Sequence, residues 1–252
     1  MNETDQTDFE AALTAALDRC LAAGVTVDFW WRDDDAVEPT PELDRLLHFA
    51  TLHDAPLLLA VIPEPAIPAL FSQLADIGQI TISQHGFAHI NHEVPPAKAA
   101  ELGPARPVET VLTELSAGKT KLRHYAGEQF APILTPPWNR ISPDLAERRF
   151  EIGLAGLSAF GPANADRFQV NTQLDIIAWR AGRGFIGWGK AKTIVEEELA
   201  HRIAAPGEPF GLLTHHLVHD REVWVFLECF LRIARTHKAA RWPEIRNLFS
   251  LS

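Results

Sequence analysis

The stretch Val27–Pro41, VDFWWRDDDAVEPTP, decides how the rest of the sequence is interpreted. An apolar run with three aromatic residues ends in one arginine and three consecutive acids, Asp33, Asp34 and Asp35. We predict a β-strand over Val25–Arg32, with the acids at its carboxyl end. Three adjacent carboxylates repel one another, and a bound cation would offset that repulsion.

Outward from this strand, short aliphatic runs alternate with helix-like stretches, a pattern typical of βα units and a mostly parallel sheet. We predict seven strands and about as many helices in a single domain over residues 1–252, with helices at both ends. A (β/α) barrel and an open doubly wound sheet both fit, and in both the sites form at the carboxyl ends of the strands. The other six strands are predicted at 55–63, 79–86, 131–139, 154–160, 168–177 and 210–216.

The charge composition of the sequence argues against two classes of binding partner. The 252 residues include 33 acidic and 23 basic side chains, for a net charge of −10. This balance argues against nucleic acid, whose binding depends on clustered Lys and Arg, and against an anionic membrane surface. No stretch approaches the ~20 apolar residues of a spanning helix, and the N-terminus lacks a secretory pattern. We therefore expect a cytoplasmic protein without stable membrane insertion that acts on a small-molecule or glycan substrate; the oligomeric state does not follow from sequence.

Potential metal ligands recur at the ends of the predicted strands. The third strand ends in QHGFAH, so His85 and His89 lie four residues apart. They can share a helical face or straddle a tight turn opened by Gly86, with both imidazoles on one ion. An Asp from another strand end would complete a two-His, one-carboxylate site. Such a site leaves positions open for water and substrate, as catalytic sites do.

The ordered motifs DD, HxxxH, PPW, DxxxW and LxH resemble the polysaccharide deacetylase family, the chitin and peptidoglycan deacetylase-like members of carbohydrate esterase family four. They run from Asp34 to His215, each at a predicted strand end. The resemblance implies a distorted (β/α) barrel with fewer than eight strands, which agrees with the seven predicted above. It also implies a metal-dependent hydrolase that removes an acetyl group from an N-acetylated sugar or sugar conjugate, with acetate and a free amine as products.

The first two motifs supply the implied base and metal ligands. Asp34 corresponds to the base and Asp35 to a ligand, with Asp33 and Asp34 as the alternative pair one residue earlier. His85 and His89 correspond to the other two ligands, and Gly86 stands where the family has Ser or Thr. The ion is divalent and most often zinc, with cobalt or nickel as options.

The third motif departs from the family pattern. Pro137 and Trp138 match, but Thr135 stands in place of the arginine that normally orients the base. Arg140 and Arg32 are the two candidates to replace that arginine. Trp138 and Arg140 are expected to contact the substrate or its oxyanion, with a backbone N–H near Trp138 as one donor.

The last two motifs supply the implied acid. Asp175 and Trp179 match the fourth motif, where Ala178 replaces a second acid, and Trp179 is expected to line the substrate site. His215 is expected to protonate the leaving amine, with its tautomer held by an acid such as Asp175. His216, the next residue, is the alternative acid.

Two further functions stay open from sequence. One is amide hydrolysis on a non-sugar compound such as a ureide or cyclic amide; the other is a carbohydrate-binding pseudoenzyme, because of the changes at Thr135 and Ala178. The segment HHLVHD (215–220) is also open to two interpretations. It could form a second metal cluster through His215, His219 and Asp220, or Asp220 could be the N-cap of the next helix.

Overall fold

The computed structural model describes residues 3–162, 166 and 168–251. Its helices are α1 (Glu3–Ala22), α2 (Pro41–Leu52), α3 (Pro68–Leu74), α4 (Val108–Ala126), α5 (Pro143–Arg148), α6 (Trp188–Ala204), α7 (Arg221–Thr236) and α8 (Ile245–Leu248). Its strands are β1 (Val27–Ala36), β2 (Leu57–Val61), β3 (Ile80–His85), β4 (Phe130–Thr135), β5 (Gly156–Leu157), β6 (Leu174–Asp175), β7 (Phe210–Thr214) and β8 (Ala240–Arg241). Short 3₁₀ turns follow α4, α5, β4 and β7.

The chain divides into two compact units. Unit one comprises residues up to 33, 41–57 and 172–244. In this unit β1 pairs in parallel with β7, from Phe29 opposite Phe210 to Asp33 opposite Thr214. The short strand β6 lies along the other side of β7, and β8 pairs with the start of β1.

The core of unit one is aromatic. Helix α7 buries side chains at the 3–4 residue spacing of one helical face, including Phe226 and Phe230. Phe226 packs against Phe9 of α1 with ring centroids 4.9 Å apart, and Phe29 of β1 packs against Phe210 of β7 at 5.4 Å. These contacts hold β1 and β7 in the register that carries Asp33 to Thr214.

Unit two comprises residues 34–40, 58–171 and 245–252. Its strands lie in the order β2, β3, β4, β5, and β4 is parallel to both β3 and β5. All five residues of β2, LLLAV, are buried, as expected of a strand covered on both faces. Helix α4 buries Val111, Leu115 and Leu122 on one face and contacts both β3 and β4.

The fold is a distorted (β/α) barrel with seven parallel strands and flanking helices, as the family resemblance implies. The short strand β8 is an addition to the prediction, and β5 and β6 keep only two residues each of the longer strands expected there. Cys20 and Cys229 are buried thiols. Within the described part of the chain, no helix combines the length and the apolar character needed to cross a bilayer. That residues 1–252 form one domain stays a prediction.

Candidate functional site

Strand β1 runs four residues further than predicted and includes all three aspartates. Asp35 has a φ of 78°, in the left-handed region that residues other than glycine rarely adopt. The regular alternation of faces along the strand therefore ends there. Asp33 contacts Thr214 and His216, whereas Asp35 contacts the two histidines of the HxxxH motif.

Asp35, His85 and His89 form a group with metal-site geometry. Asp35 Oδ1 lies 3.0 Å from His85 Nε2 and 3.4 Å from His89 Nε2. Ligand atoms bound at about 2.0–2.1 Å around a tetrahedral ion lie about 3.3 Å apart, so these spacings suit one ion. Among the described residues this is the one group of three or more His, Cys, Asp or Glu side chains close enough to hold a metal.

The tautomer of His85 follows from its second ring nitrogen. Nδ1 lies 3.0 Å from the carbonyl oxygen of Thr135, which can only accept, so Nδ1 carries the proton. Nε2 therefore presents its lone pair toward Asp35 Oδ1, and a cation between these two acceptors would remove their repulsion. A histidine whose far nitrogen donates to a carbonyl is the usual arrangement of a metal ligand. The donor set thus fits a divalent ion.

His89 is also held in the form that a metal requires. Burial lowers its pKa, the charge of His85 lowers it further, and Asp35 opposes both effects. The neutral imidazole, which is the ligating form, is therefore favoured. The motif is a turn rather than a helical face, because Gly86 and His89 have φ values of 56° and 57°.

Trp138 borders the group of Asp35, His85 and His89. Its ring packs against His89 with centroids 4.3 Å apart, and its own φ is 56°. Asp35, His89, Trp138 and its neighbour Asn139 are thus four left-handed residues other than glycine in one region, and such strain clusters at functional sites. Whether Trp138 contacts the substrate stays a prediction.

The structure gives local roles to two residues of the altered third motif. The Thr135 carbonyl accepts from His85 Nδ1 and from the backbone N–H of Gly86, while its hydroxyl bonds Ser83. Arg140 Nη1 donates to the carbonyl of Ala99 at 2.6 Å. Arg140 therefore anchors the 94–107 loop, a role that sequence did not indicate. Arg140 and Arg32 both stay candidates to replace the arginine of the family pattern.

Asp34 and Asp33 are both buried. The role of Asp34 as base stays a prediction. Asp33 Oδ2 accepts from the Thr214 hydroxyl at 2.6 Å and from the backbone N–H of His216 at 3.0 Å, and its Oδ1 pairs with His216 Nδ1. Burial would raise the pKa of Asp33, but the charge of His216 and these hydrogen bonds hold it below the ordinary value.

The two candidate acids, His215 and His216, have different environments. His216 is part of that buried pair, whereas the ring of His215 packs edge-on against Trp179 with centroids 4.6 Å apart. Trp179 Nε1 donates to Asp175 Oδ2 at 2.7 Å, and Asp175 Oδ1 accepts from the N–H of Ile177. Asp175 therefore orients the indole that contacts His215. The catalytic roles of His215, Asp175 and Trp179 stay predictions.

Asp220 caps helix α7, one of the two interpretations of the HHLVHD segment. Its Oδ1 accepts from the N–H of Val223 at 2.8 Å. His219 packs edge-on against Trp224, and burial lowers its pKa to about 4 against the opposing charge of Asp33. A second metal group of this kind is not formed by the residues that the structure describes.

No profile of a known protein family matches the sequence, and no curated protein matches it. The fold, however, is that of the polysaccharide deacetylases and family 4 carbohydrate esterases, as many solved structures show.

Three such structures illustrate the likeness. A putative polysaccharide deacetylase from Mycobacterium smegmatis has a TM-score of 0.62 and 16% identity over 83% of this chain and 76% of its own. A peptidoglycan N-acetylglucosamine deacetylase in complex with 4-naphthalen-1-yl-N-oxidanyl-benzamide has a TM-score of 0.58 and 16% identity over 89% of each chain. A family 4 acetyl xylan esterase from Clostridium thermocellum in complex with a cobalt ion has a TM-score of 0.53 and 15% identity over 88% of this chain and 90% of its own.

Proposed function

We propose that the protein is a metal-dependent hydrolase that removes an acetyl group from an N-acetylated sugar or sugar conjugate. The observation that carries the proposal is the convergence of Asp35 Oδ1, His85 Nε2 and His89 Nε2 in a deacetylase fold. The cobalt ion in one structural neighbour supports a divalent metal, for which zinc is our first choice and cobalt or nickel are alternatives.

Asp35, His85 and His89 would hold the ion. When bound, a divalent metal polarises a carbonyl and lowers the pKa of water, to about 7 in the case of zinc. Thr135 keeps the Nε2 lone pair of His85 directed at the ion through the hydrogen bond to Nδ1. The lowered pKa of His89 keeps that imidazole unprotonated, so protons do not compete for its lone pair.

We assign the remaining roles as follows. Asp34 accepts the proton of the attacking water, and its burial next to a ligand on the same strand supports that role. Trp138, packed on His89, forms one wall, and its backbone N–H stabilises the oxyanion. His215 protonates the leaving amine; the engagement of His216 with Asp33 favours it over His216.

The substrate is proposed at the level of its class. Structural neighbours include deacetylases that act on sugar N-acetyl groups and an acetyl xylan esterase. Acetyl ester hydrolysis is therefore a second candidate, supported by that esterase. A soluble sugar conjugate met in the cytoplasm remains our first choice of substrate.

The test compares acetate release by wild type and Asp34→Asn from panels of N-acetylated and O-acetylated sugars, with Asp28→Asn as the matched control. Asp28 lies on the same strand and pairs with Arg241. We expect Asp34→Asn to lower kcat by about 10²–10⁴-fold, as loss of a general base does, while Asp28→Asn keeps full activity.

Each other outcome counts against part of the proposal. Equal acetate release by wild type and Asp34→Asn would show that Asp34 is not the base. Release from the O-acetyl panel alone would favour the esterase. If metal bound but no substrate on either panel reacted, a non-sugar amide or a pseudoenzyme would become the better account.

A further inference from the structure

Glu101 is a buried carboxylate that none of the motifs includes. It lies in the 94–107 loop and is almost fully inaccessible to solvent. A buried carboxylate is unfavourable unless hydrogen bonds compensate its charge. Oε1 accepts from the backbone N–H of Ala88 at 2.7 Å and of His89 at 3.1 Å, and Oε2 accepts from that of Phe87 at 3.1 Å.

These three N–H groups belong to the ligand turn, residues 86–89, which joins the His85 ligand to the His89 ligand. The turn begins and ends on left-handed residues, so its N–H groups have no helical partners. Three successive N–H groups around one anion form a compact cradle. The carboxylate therefore fixes the backbone from which the His89 imidazole projects.

The absence of a side chain at Gly86 is what admits this carboxylate. A β-carbon there would collide with Glu101 Oε2 and would lie 2.6 Å from Pro137 Cγ. The related family carries Ser or Thr at this place in the motif. In this chain the Glu101 carboxylate, from the 94–107 loop, occupies the space that a side chain at residue 86 would take.

The backbone on both sides of Glu101 in the sequence is bonded to the segment that follows β4. On its N-terminal side, Arg140 Nη1 donates to the carbonyl of Ala99. On its C-terminal side, Leu102 forms a bridge with Ile141, and the N–H of Ser142 donates to the Leu102 carbonyl at 2.8 Å. The segment that follows β4 therefore fixes the position of Glu101 before any metal binds.

We propose that Glu101 is a positioning residue that holds the ligand turn so that His89 meets the metal together with His85 and Asp35. The inference rests on the proposed metal site and deepens it. Glu101 touches neither the ion nor the substrate in this account. Its effect reaches the site through the backbone of Ala88 and His89.

The experiment measures Co(II) affinity by chelator competition, together with the visible spectrum of bound Co(II). Glu101→Gln is the main variant because it keeps the side-chain shape but replaces one acceptor oxygen with a donor. Glu93→Gln is the control: Glu93 lies near the same loop and accepts a backbone N–H, from Ala105, outside the ligand turn. Far-UV circular dichroism of the metal-free proteins checks that each variant folds.

We expect Glu101→Gln to weaken Co(II) binding about 10–100-fold and to alter the Co(II) spectrum, as loss of a supporting contact does. Glu101→Asp, which keeps the charge on a shorter side chain, should lie between Gln and wild type. Glu93→Gln should bind like wild type. On a His89→Ala background, adding Glu101→Gln should change affinity less than about 2-fold, because the interaction it supports is already gone.

The contrary results are distinct from one another. Wild-type affinity in folded Glu101→Gln would overturn the inference and leave the proposed metal site intact. An equal loss on the wild-type and His89→Ala backgrounds would also overturn it, because Glu101 would then not act through His89. Failure of wild type itself to bind Co(II) would refute the metal site, and the role of Glu101 with it.

Discussion

The three adjacent aspartates of β1 have different environments although they share one strand. Asp33, which sequence places only in the alternative base and ligand pair, is bound by Thr214 and His216. Asp35 departs from the strand conformation at a φ of 78° and meets two histidines. Sequence predicted the types of the candidate ligands and the spacing of the two histidines, but it could not predict this backbone change, because a single φ leaves no periodic signal.

His219 gives a prediction for acid stability. Both ring nitrogens are buried, and no residue in the described part of the chain forms a hydrogen bond with either of them. Burial lowers the pKa of His219 from 6.5 to about 4. The unfolded chain therefore takes up a proton below pH ~6.5 that the folded chain does not take up until pH ~4. As the pH decreases from ~6.5 to ~4, the free energy of unfolding should fall by about 3 kcal/mol because of His219 alone. Above pH ~6.5 His219 is neutral in both states and does not change the free energy of unfolding with pH.

The check is urea unfolding of His219→Phe from pH 7 to 4. Phenylalanine can keep the edge-on contact with Trp224 and cannot be protonated, so the fall in the free energy of unfolding should become shallower by about 1.4 kcal/mol per pH unit. His201→Phe, at an exposed histidine, is the control. A variant as acid-sensitive as wild type would contradict the assignment.

The helices and strands show where sequence reasoning succeeds. The sequence predicts helices over 107–127 and 221–237, and α4 and α7 match these bounds within one residue. It also predicts Ser142 as an N-cap, and Ser142 caps α5. Strands β5 and β6 were predicted too long. Their apolar residues are buried in loop segments as well as in strands, so hydrophobicity alone did not mark where the pairing stops.

The site could be predicted from sequence only where its residues lie at strand ends. Asp35 and His85 lie at the carboxyl ends of β1 and β3, and His89 follows β3. Spacing indicated the two histidines, and the family resemblance indicated Asp35. The Thr135 carbonyl and the Glu101 carboxylate were missed, because a backbone group has no residue type and Glu101 lies in a loop distant from every motif. The one signal for Glu101 was Gly86, whose missing side chain left room for another group.

Asp220 provides a test of how one residue couples a helix to a loop. Its Oδ1 caps α7, and its Oδ2 accepts from the N–H of Phe185 at 3.0 Å. We expect Asp220→Ala to lower the free energy of unfolding by about 1–2 kcal/mol, at the upper end for a lost cap because the loop bond is lost too. Ser142→Ala, which removes a cap alone, should cost about 1 kcal/mol. Urea denaturation measures both, and a smaller loss at Asp220 than at Ser142 would contradict the double role.

For the chain as a whole, the open prediction is that residues 1–252 behave as one domain, although the contacts group into two units. A single domain should unfold in one cooperative transition. Far-UV circular dichroism and tryptophan fluorescence, followed together through a urea titration, should then give the same midpoint. Tryptophans occur in both units, for example Trp224 and Trp138, so fluorescence reports on each. Two separated transitions would instead establish two domains.

The central claim is that Asp35, His85 and His89 bind one divalent ion. The most direct measurement is a crystal structure of the protein soaked in zinc, with anomalous diffraction recorded on both sides of the zinc edge. We predict a single strong peak within about 2.0–2.2 Å of Asp35 Oδ1, His85 Nε2 and His89 Nε2. A peak held by other residues, or no peak at these three atoms in zinc-saturated crystals, would contradict the account.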